Sequence, residues 1–197
     1  NPEKQPIKNS PKMQNKSLKR TQFENYLYKS SGQEFENLFT RIMGYIDPNF
    51  IQIDPSGRNG DQGNDGYIKD KGIYYQVYAP KNVEKGKTIK KMKEDFNKLY
   101  THWNNRCPIK EFYFVINDKY IGYDRHIDEA IDEIGRTYQI KTGIIDSKKL
   151  EHKFFTLDED IIDFILGNIE QKNSENDFFG KLVDEITENM RLKDWER

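Results

Sequence analysis

The chain has 197 residues, with 32 Lys and Arg against 33 Asp and Glu, for a formal net charge of −1. Its length suits one compact domain with appendages. The near-neutral charge excludes a tail that grips nucleic acid by bulk charge, but it leaves room for a local basic patch. We find no apolar run long enough to cross a bilayer, so no membrane partner is expected. A single cysteine, Cys107, permits no intrachain disulfide and suits a reducing compartment, which predicts the cytoplasm.

The amino-terminal part is polar before an amphipathic helix begins. Residues 1–20 are rich in Pro, Lys and Asn and predict a disordered leader or linker. Apolar side chains at the three-four spacing of one helical face predict a helix over 33–46. Ser30 or Ser31 is the expected cap of this helix, with Glu34 as the capping-box partner of Ser31.

Alternating strands and helices follow this first predicted helix. Strands are predicted at 50–53, 67–68, 73–78, 111–116 and 139–145. Helices are predicted at 87–104, 127–134 and 160–169, with a short helical segment at 147–150 and a last helix at 178–190.

The lengths of the connections predict how the strands pair. Short links between the first three strands, including the turn 69–72, predict an antiparallel meander. Helices between the later strands predict crossovers and parallel pairing. We therefore expect an α/β fold with a mixed central sheet flanked by helices. Residues 21–170 are the expected domain, and 171–197 an added helix that links to a further domain or partner.

Three polar residues fall where the predicted elements would bring them together. Glu36 lies at the edge of the helical apolar stripe, Asp65 opens a strand after a glycine-rich turn, and Gln76 lies on the paired strand. Oxygen ligands of this kind suit Mg²⁺, which activates water and polarises a phosphate. Simpler interpretations stay open: Glu34 flanks the same stripe, Asp65 with Gly66 is a common turn, and Gln76 suits a buried amide.

Three motifs carry a family resemblance: GQEFENLF at 32–39, GDQGNDGY at 60–67 and YYQVYAP at 74–80. Together they resemble the restriction-endonuclease-like PD-(D/E)xK superfamily, and most closely its Mrr-like branch. The last motif, with EFYFVINDKYIG at 111–122, also resembles nuclease-like proteins of bacterial defence operons, including the ABC-three-component type. The resemblance covers roughly residues 30–165.

The resemblance implies a restriction-endonuclease-like core and a Mg²⁺- or Mn²⁺-dependent endonuclease, acting on DNA in antiphage defence. It implies that Glu36, Asp65 and Gln76 are metal ligands. Other subunits or domains of a defence complex are the implied protein partners. We expect loss of Asp65 to leave folding largely intact, because a ligand on a polar loop edge contributes little to the core.

One position departs from the family pattern. The family's lysine would fall two residues after Gln76, where this chain has Tyr78. Tyrosine supplies no fixed positive charge, so the cation comes either from Lys81, the nearest downstream, or from Lys69 on the opposite strand. The predicted catalytic set is therefore Glu36, Asp65, Gln76 and Lys81. The alternative is a weak or inactive nuclease-fold domain that binds nucleic acid or assembles a defence complex.

A basic run leads into the helix predicted at 87–104. Its lysines are Lys81, Lys85, Lys87, Lys90, Lys91 and Lys93. Lysines neutralise phosphates without reading sequence. The predicted nucleic-acid contacts are Lys85, Lys87, Lys90 and Lys91; a solvated face or a partner-docking face is the alternative.

Overall fold

The computed structural model describes residues 11–53 and 63–167 of the chain. These residues form two compact units. The larger is Phe23–Leu157, and the smaller joins 11–22 with the described residues from Asp158 onward. The predicted final helix within 171–197 and the first half of the predicted leader lie outside the described residues.

The chain begins its described part with a helix, α1, at Pro11–Lys29. The predicted disorder is therefore wrong for residues 11–20. Proline is well suited to a first helical position, and the Lys, Gln and Arg that follow are good helix formers. Phe23 and Leu27 are fully buried in the larger unit, and the Phe23 ring stacks on Phe154 at 4.4 Å. Helix growth from this anchored turn adds one hydrogen bond per residue, so a polar segment can extend it.

The larger unit continues with four helices and five strands within its described residues. The helices are α2 (Gln33–Ile46), α3 (Lys85–Trp103), α4 (Arg125–Tyr138) and α5 (Ser147–Phe154). The strands are β1 (Phe50–Gln52), β2 (Gly66–Ile68), β3 (Ile73–Tyr78), β4 (Glu111–Ile116) and β5 (Lys141–Ile145). Residues 159–167, in the smaller unit, are also helical. No helix in the described ranges is both long and apolar enough to span a membrane.

The strands form one sheet in the order β1-β2-β3-β4-β5. The first three pair antiparallel, and β3, β4 and β5 pair parallel. The mixed sheet flanked by helices is thereby confirmed. Helices α3 and α4 form the two crossovers between parallel strands, as crossover connections require.

The two faces of the sheet carry different helices. Side chains alternate along β3, so Tyr74, Gln76 and Tyr78 share one face. Tyr74 belongs to the core built with α3 and α4, which includes Phe96, Phe112 and Ile131. Tyr75 points the opposite way and lies 5.6 Å from the Phe39 ring of α2.

Helix α2 starts differently from the prediction. Gly32 is the cap residue, at φ 51°, and no side chain caps the helix. The Ser30 hydroxyl donates instead to the Leu27 carbonyl at 3.3 Å, so the predicted capping box is wrong. The Gly32 N–H donates to the Ala79 carbonyl at 2.8 Å. This bond anchors the first turn of α2 at the carboxyl end of β3.

Candidate functional site

Asp65 and Gln76 meet at the carboxyl end of β3. The register pairs Gly66 with Tyr75, so Asp65 stands opposite Gln76 on the neighbouring strand. The Asp65 Oδ2 atom accepts hydrogen bonds from Gln76 Nε2 at 2.7 Å and from the Val77 N–H at 2.6 Å. Both side chains are 2% exposed. The structure thus brings together two of the three predicted metal ligands.

The burial of Asp65 corrects one expectation. Asp65 lies inside the unit rather than on a polar loop edge, and it satisfies a backbone N–H of β3. A buried donor that loses its acceptor costs about 1–3 kcal/mol. Replacement of Asp65 by alanine would therefore weaken folding, so tests of its chemistry need an isosteric substitution.

Gln76 presents a second oxygen to the site. Its Oε1 atom is buried and has no hydrogen-bond partner among the described residues. The two ends of an amide are assigned from their hydrogen bonds, and a half-turn of the amide would exchange Oε1 with Nε2. After that half-turn, an amide oxygen and a carboxylate would face one another. This donor set suits Mg²⁺, which takes oxygen ligands.

Glu36 lies on α2, which packs on the opposite face of the sheet from Gln76. It lies one turn into α2, its N–H donates to the Gly32 carbonyl, and its side chain is half-buried. Glu34, which the sequence could not distinguish from it, is exposed. Helix α2 packs on the Tyr75 face, whereas Gln76 faces α3. Convergence of Glu36 with the Asp65–Gln76 pair therefore requires its side chain to reach past the end of the sheet, and it stays a prediction.

The position of the family's lysine belongs to the core. The Tyr78 ring is half-buried and lies 5.8 Å from the Phe114 ring, on the face that carries α3. Tyr78 therefore contributes packing rather than charge. Lys81 is exposed, three residues beyond the end of β3, where it lines a groove with Asn117 and Lys119.

Buried polar residues on α3 escaped the sequence reasoning. Thr88 and Asp95 are 0% and 1% exposed, although they lie among the apolar residues of the helix. Lys91 Nζ lies 2.9 Å from Asp95 Oδ1 and 2.8 Å from Oδ2. The sequence did contain a signal for this burial. Thr88 and Asp95 lie four residues before and three residues after Met92, and residues so spaced share a helical face.

Helix α3 packs closely against Gly63, which lies in the loop that leads to Asp65. Gly63 has φ +80°, and a Cβ atom there would lie 2.1 Å from the Asp95 carbonyl oxygen. Only glycine permits both this backbone angle and this close approach. Two residues later the chain reaches Asp65. The Lys91–Asp95 ion pair therefore lies on the helix that packs against the Asp65 loop.

The basic run of α3 is paired with carboxylates. Each predicted nucleic-acid lysine has an acidic neighbour: Lys85 with Asp124 at 3.6 Å, Lys87 with Glu84 at 2.8 Å, Lys90 with Glu94 at 3.8 Å, and Lys91 with Asp95. These lysines therefore do not form a surface of unbalanced positive charge, and their nucleic-acid role stays a prediction.

The donor set of the candidate site is small. Within the described residues, no group of three or more His, Cys, Asp or Glu is arranged to hold a metal ion. The predicted ligand set differs from such a group because one of its three members is an amide. A metal here would thus depend on Gln76 as well as on carboxylates.

Comparison with known proteins adds no family. No protein-family model matches the chain, and no curated protein matches it. The fold and the site therefore define the class directly: an α/β protein whose mixed sheet holds a buried carboxylate–amide pair at the carboxyl end of β3.

Proposed function

We propose that this protein is a metal-dependent nuclease that cleaves DNA in the bacterial cytoplasm as part of antiphage defence. The observation that carries the proposal is that the buried side chains of Asp65 and Gln76 lie within 2.7 Å of one another on paired strands. The three motifs that resemble Mrr-like nucleases contribute these same elements. The defence setting and the complex rest on that resemblance alone.

Asp65, the turned Gln76 amide and Glu36 are the proposed ligands of Mg²⁺ or Mn²⁺. A bound divalent ion would polarise the scissile phosphate and lower the pKa of a bound water. Asp65 is held by the Val77 N–H, which fixes its orientation, and Gln76 is held by its strand. Glu36 would complete the set from α2, where it is the more buried of the two candidate glutamates.

Lys69, one of the two lysines that the sequence offered in place of Tyr78, lies in the turn at the opposite end of the β2–β3 hairpin from Asp65 and Gln76. Two candidate sources of the positive charge are then Lys81 and Lys91. Lys81 is exposed beyond the end of β3, as the sequence reasoning proposed. Lys91 is held by buried Asp95 on the helix that packs against Gly63. Substitution of each lysine by glutamine in separate proteins distinguishes the two: the one that stabilises charge on the phosphate lowers kcat, whereas one that only binds substrate raises KM.

Asp65→Asn tests the metal proposal. Asparagine keeps the shape and one oxygen but removes the charge that attracts the metal. We expect Mg²⁺-dependent cleavage of supercoiled plasmid to fall at least about 100-fold and calorimetric Mn²⁺ binding to weaken. Asp132→Asn, at an exposed carboxylate on α4, is the matched control and should cleave like the wild type. Wild-type activity in Asp65→Asn, or cleavage that survives a chelator, would contradict the proposal.

A second candidate function is a catalytically inactive domain of the same fold that binds nucleic acid or assembles a complex. Two observations favour it: Asp65 Oδ2 already accepts two N–H groups, and Tyr78 is committed to packing. In that case the folded wild type would bind nucleic acid or a partner without cleaving it under any divalent metal.

A further inference from the structure

A polar groove lies at the carboxyl ends of β3 and β4. Its volume is about 320 Å³, and its lining includes Tyr28 from α1, Lys81 and Asn82 after β3, and Lys119 and Ile121 after β4. In open α/β sheets, ligands bind outside the carboxyl ends of the strands. The Asn117 N–H donates to the Tyr78 carbonyl, so the groove begins where the strand of Gln76 ends.

The two lysines of the groove differ from those of α3. Neither Lys81 nor Lys119 forms an ion pair with any residue in the described ranges. Asp118 is the acidic residue of the lining, and it is 6% exposed. Both of its oxygens accept backbone N–H groups, from Ser147 and from Gly122, each at 3.0 Å. The groove therefore offers an anionic ligand two cations without a described acidic partner, the exposed Lys81 and the half-buried Lys119.

An aromatic and an aliphatic side chain stand beside these cations. Tyr28 is 61% exposed, and Lys119 Nζ lies 6.0 Å from the centre of its ring. Ile121 is 80% exposed. An exposed aromatic ring with a cation over one face suits a planar ring stacked on its other face, with the phosphate of that nucleotide on the lysine.

The groove is held in a fixed shape. Lys119 and Tyr120 both adopt left-handed backbone angles, with φ 53° and 59°. Such angles persist only where the surrounding structure imposes them, and they cluster at binding sites. Fully buried Asn117 imposes them here: its Oδ1 accepts the Lys119 N–H, and its Nδ2 donates to the carbonyls of Leu27 and Ser30. The loop and the end of α1 that carries Tyr28 are therefore tied together.

We propose that this groove binds a single-stranded segment of the nucleic-acid substrate, with Lys81 and Lys119 on successive phosphates and a base stacked on Tyr28. The proposal rests on the proposed function for the kind of ligand. It names a single strand because an aromatic ring can stack only on a base that has left its duplex. DNA and RNA share this chemistry, so the experiment includes both.

The test measures binding of fluorescent 12-nucleotide single-stranded DNA, the same sequence as RNA, and the DNA duplex. A chelator is present so that no cleavage occurs. We expect Tyr28→Ala to weaken single-strand binding roughly 5- to 150-fold, which corresponds to one stacked base. Lys81→Gln with Lys119→Gln should reduce the slope of log affinity against log salt by about 1.4, since each single-strand phosphate contact contributes about 0.7.

Two matched controls are exposed side chains of the same types outside the groove. They are Tyr45→Ala on α2, and Lys98→Gln on α3 with Lys110→Gln before β4, two exposed lysines that belong to neither predicted binding surface. Both should bind like the wild type. Equal loss in the controls and the groove variants would overturn the groove, as would a wild type that binds no single strand or a groove variant that binds normally. If the wild type cleaves while the groove variants bind normally, the groove-binding proposal is wrong and the nuclease proposal stands. If binding depends on the groove but the wild type does not cleave, the groove-binding proposal stands and the nuclease proposal is wrong.

Discussion

The lysines of α3 and those of the groove at Lys81 and Lys119 form two surfaces with different charge balance. The α3 lysines are concentrated in the sequence, yet each lies within 3.8 Å of a carboxylate. The groove lysines are 38 residues apart, by number, and have no described acidic partner. A dense run of lysines therefore does not by itself mark the positive surface of this molecule.

The difference follows from helical spacing. Lys87, Lys90 and Lys91 have acids three or four residues away, at Glu84, Glu94 and Asp95. Residues so spaced are neighbours on a helix. A loop at the end of a strand has no such neighbours, so its cations keep their charge available.

The position of α3, which carries the first set of lysines, depends on the close approach of Gly63 to the Asp95 carbonyl. We expect Gly63→Ala to destabilise the protein by about 2–5 kcal/mol, because the substitution combines a strained positive φ with overlap against the Asp95 carbonyl. Chemical denaturation measures this loss. Gly86→Ala, at a helical glycine with open space around it, is the control and should be neutral or stabilising by about 0.5–1 kcal/mol. Unchanged stability in Gly63→Ala would show that α3 lies farther from this loop.

The shape of the groove at Lys81 and Lys119 depends on Asn117. Asn117→Ala should cost about 1–3 kcal/mol, because it removes the hydrogen bonds from the Asn117 amide to the carbonyls of Leu27 and Ser30. It should also weaken single-strand binding, since the Lys119 loop loses its support. Asn105→Ala, at an exposed position, serves as the control in the same denaturation series. If Asn117→Ala lowers stability but leaves binding unchanged, the loop geometry is unimportant for the ligand.

The α3 lysines themselves provide the sharpest comparison with the groove. Four duplex phosphate contacts by Lys85, Lys87, Lys90 and Lys91 would contribute a salt slope of about 3.6. Because their charges are already balanced, we expect replacement of all four by glutamine to change the slope by less than about 1. Titrations of the variant and the wild type against two unrelated duplexes at several salt concentrations measure it. A change near 3.6 would restore the basic-run hypothesis.

The smallest expected effect concerns Asp124, which joins Lys85 to the start of α4. The backbone N–H of His126, then its ring, and then Lys85 hold the pKa of Asp124 at about 2, below its ordinary 3.8. Because the pKa of Asp124 is lowered in the folded protein, its ionised carboxylate stabilises the fold above pH 3.8. This stabilisation is lost as the pH falls toward 2. The difference in Tm between wild type and Asp124→Ala should therefore be constant near neutrality and shrink below about pH 4. An NMR titration in which the Asp124 carboxyl shows a pKa near 3.8 would contradict this lowered pKa.

Apolar periodicity predicted most of the larger unit. The bounds of α2, β3 and β4 agree with the prediction, as does the change from antiparallel to parallel pairing. Helix α1 was missed because its amino-terminal half has almost no apolar face, and because the buried apolar side chains among its described ones are Phe23 and Leu27. The predicted cap of α2 was wrong because Ser30 bonds within α1 while Gly32 bonds to Ala79.

Most elements of the larger unit after α1, the mixed sheet and the pairing of Asp65 with Gln76 could be predicted from the sequence alone. Local spacing and a short turn between two strands suffice for these, because they act between residues near in the chain. The burial of Asp65, the packing of Tyr78 on Phe114 and the approach of Asp95 to Gly63 are visible only in the folded structure. The same holds for which lysines have an acidic partner among the described residues. Burial and charge balance depend on neighbours that distant parts of the chain supply, and a pattern in one segment does not contain them.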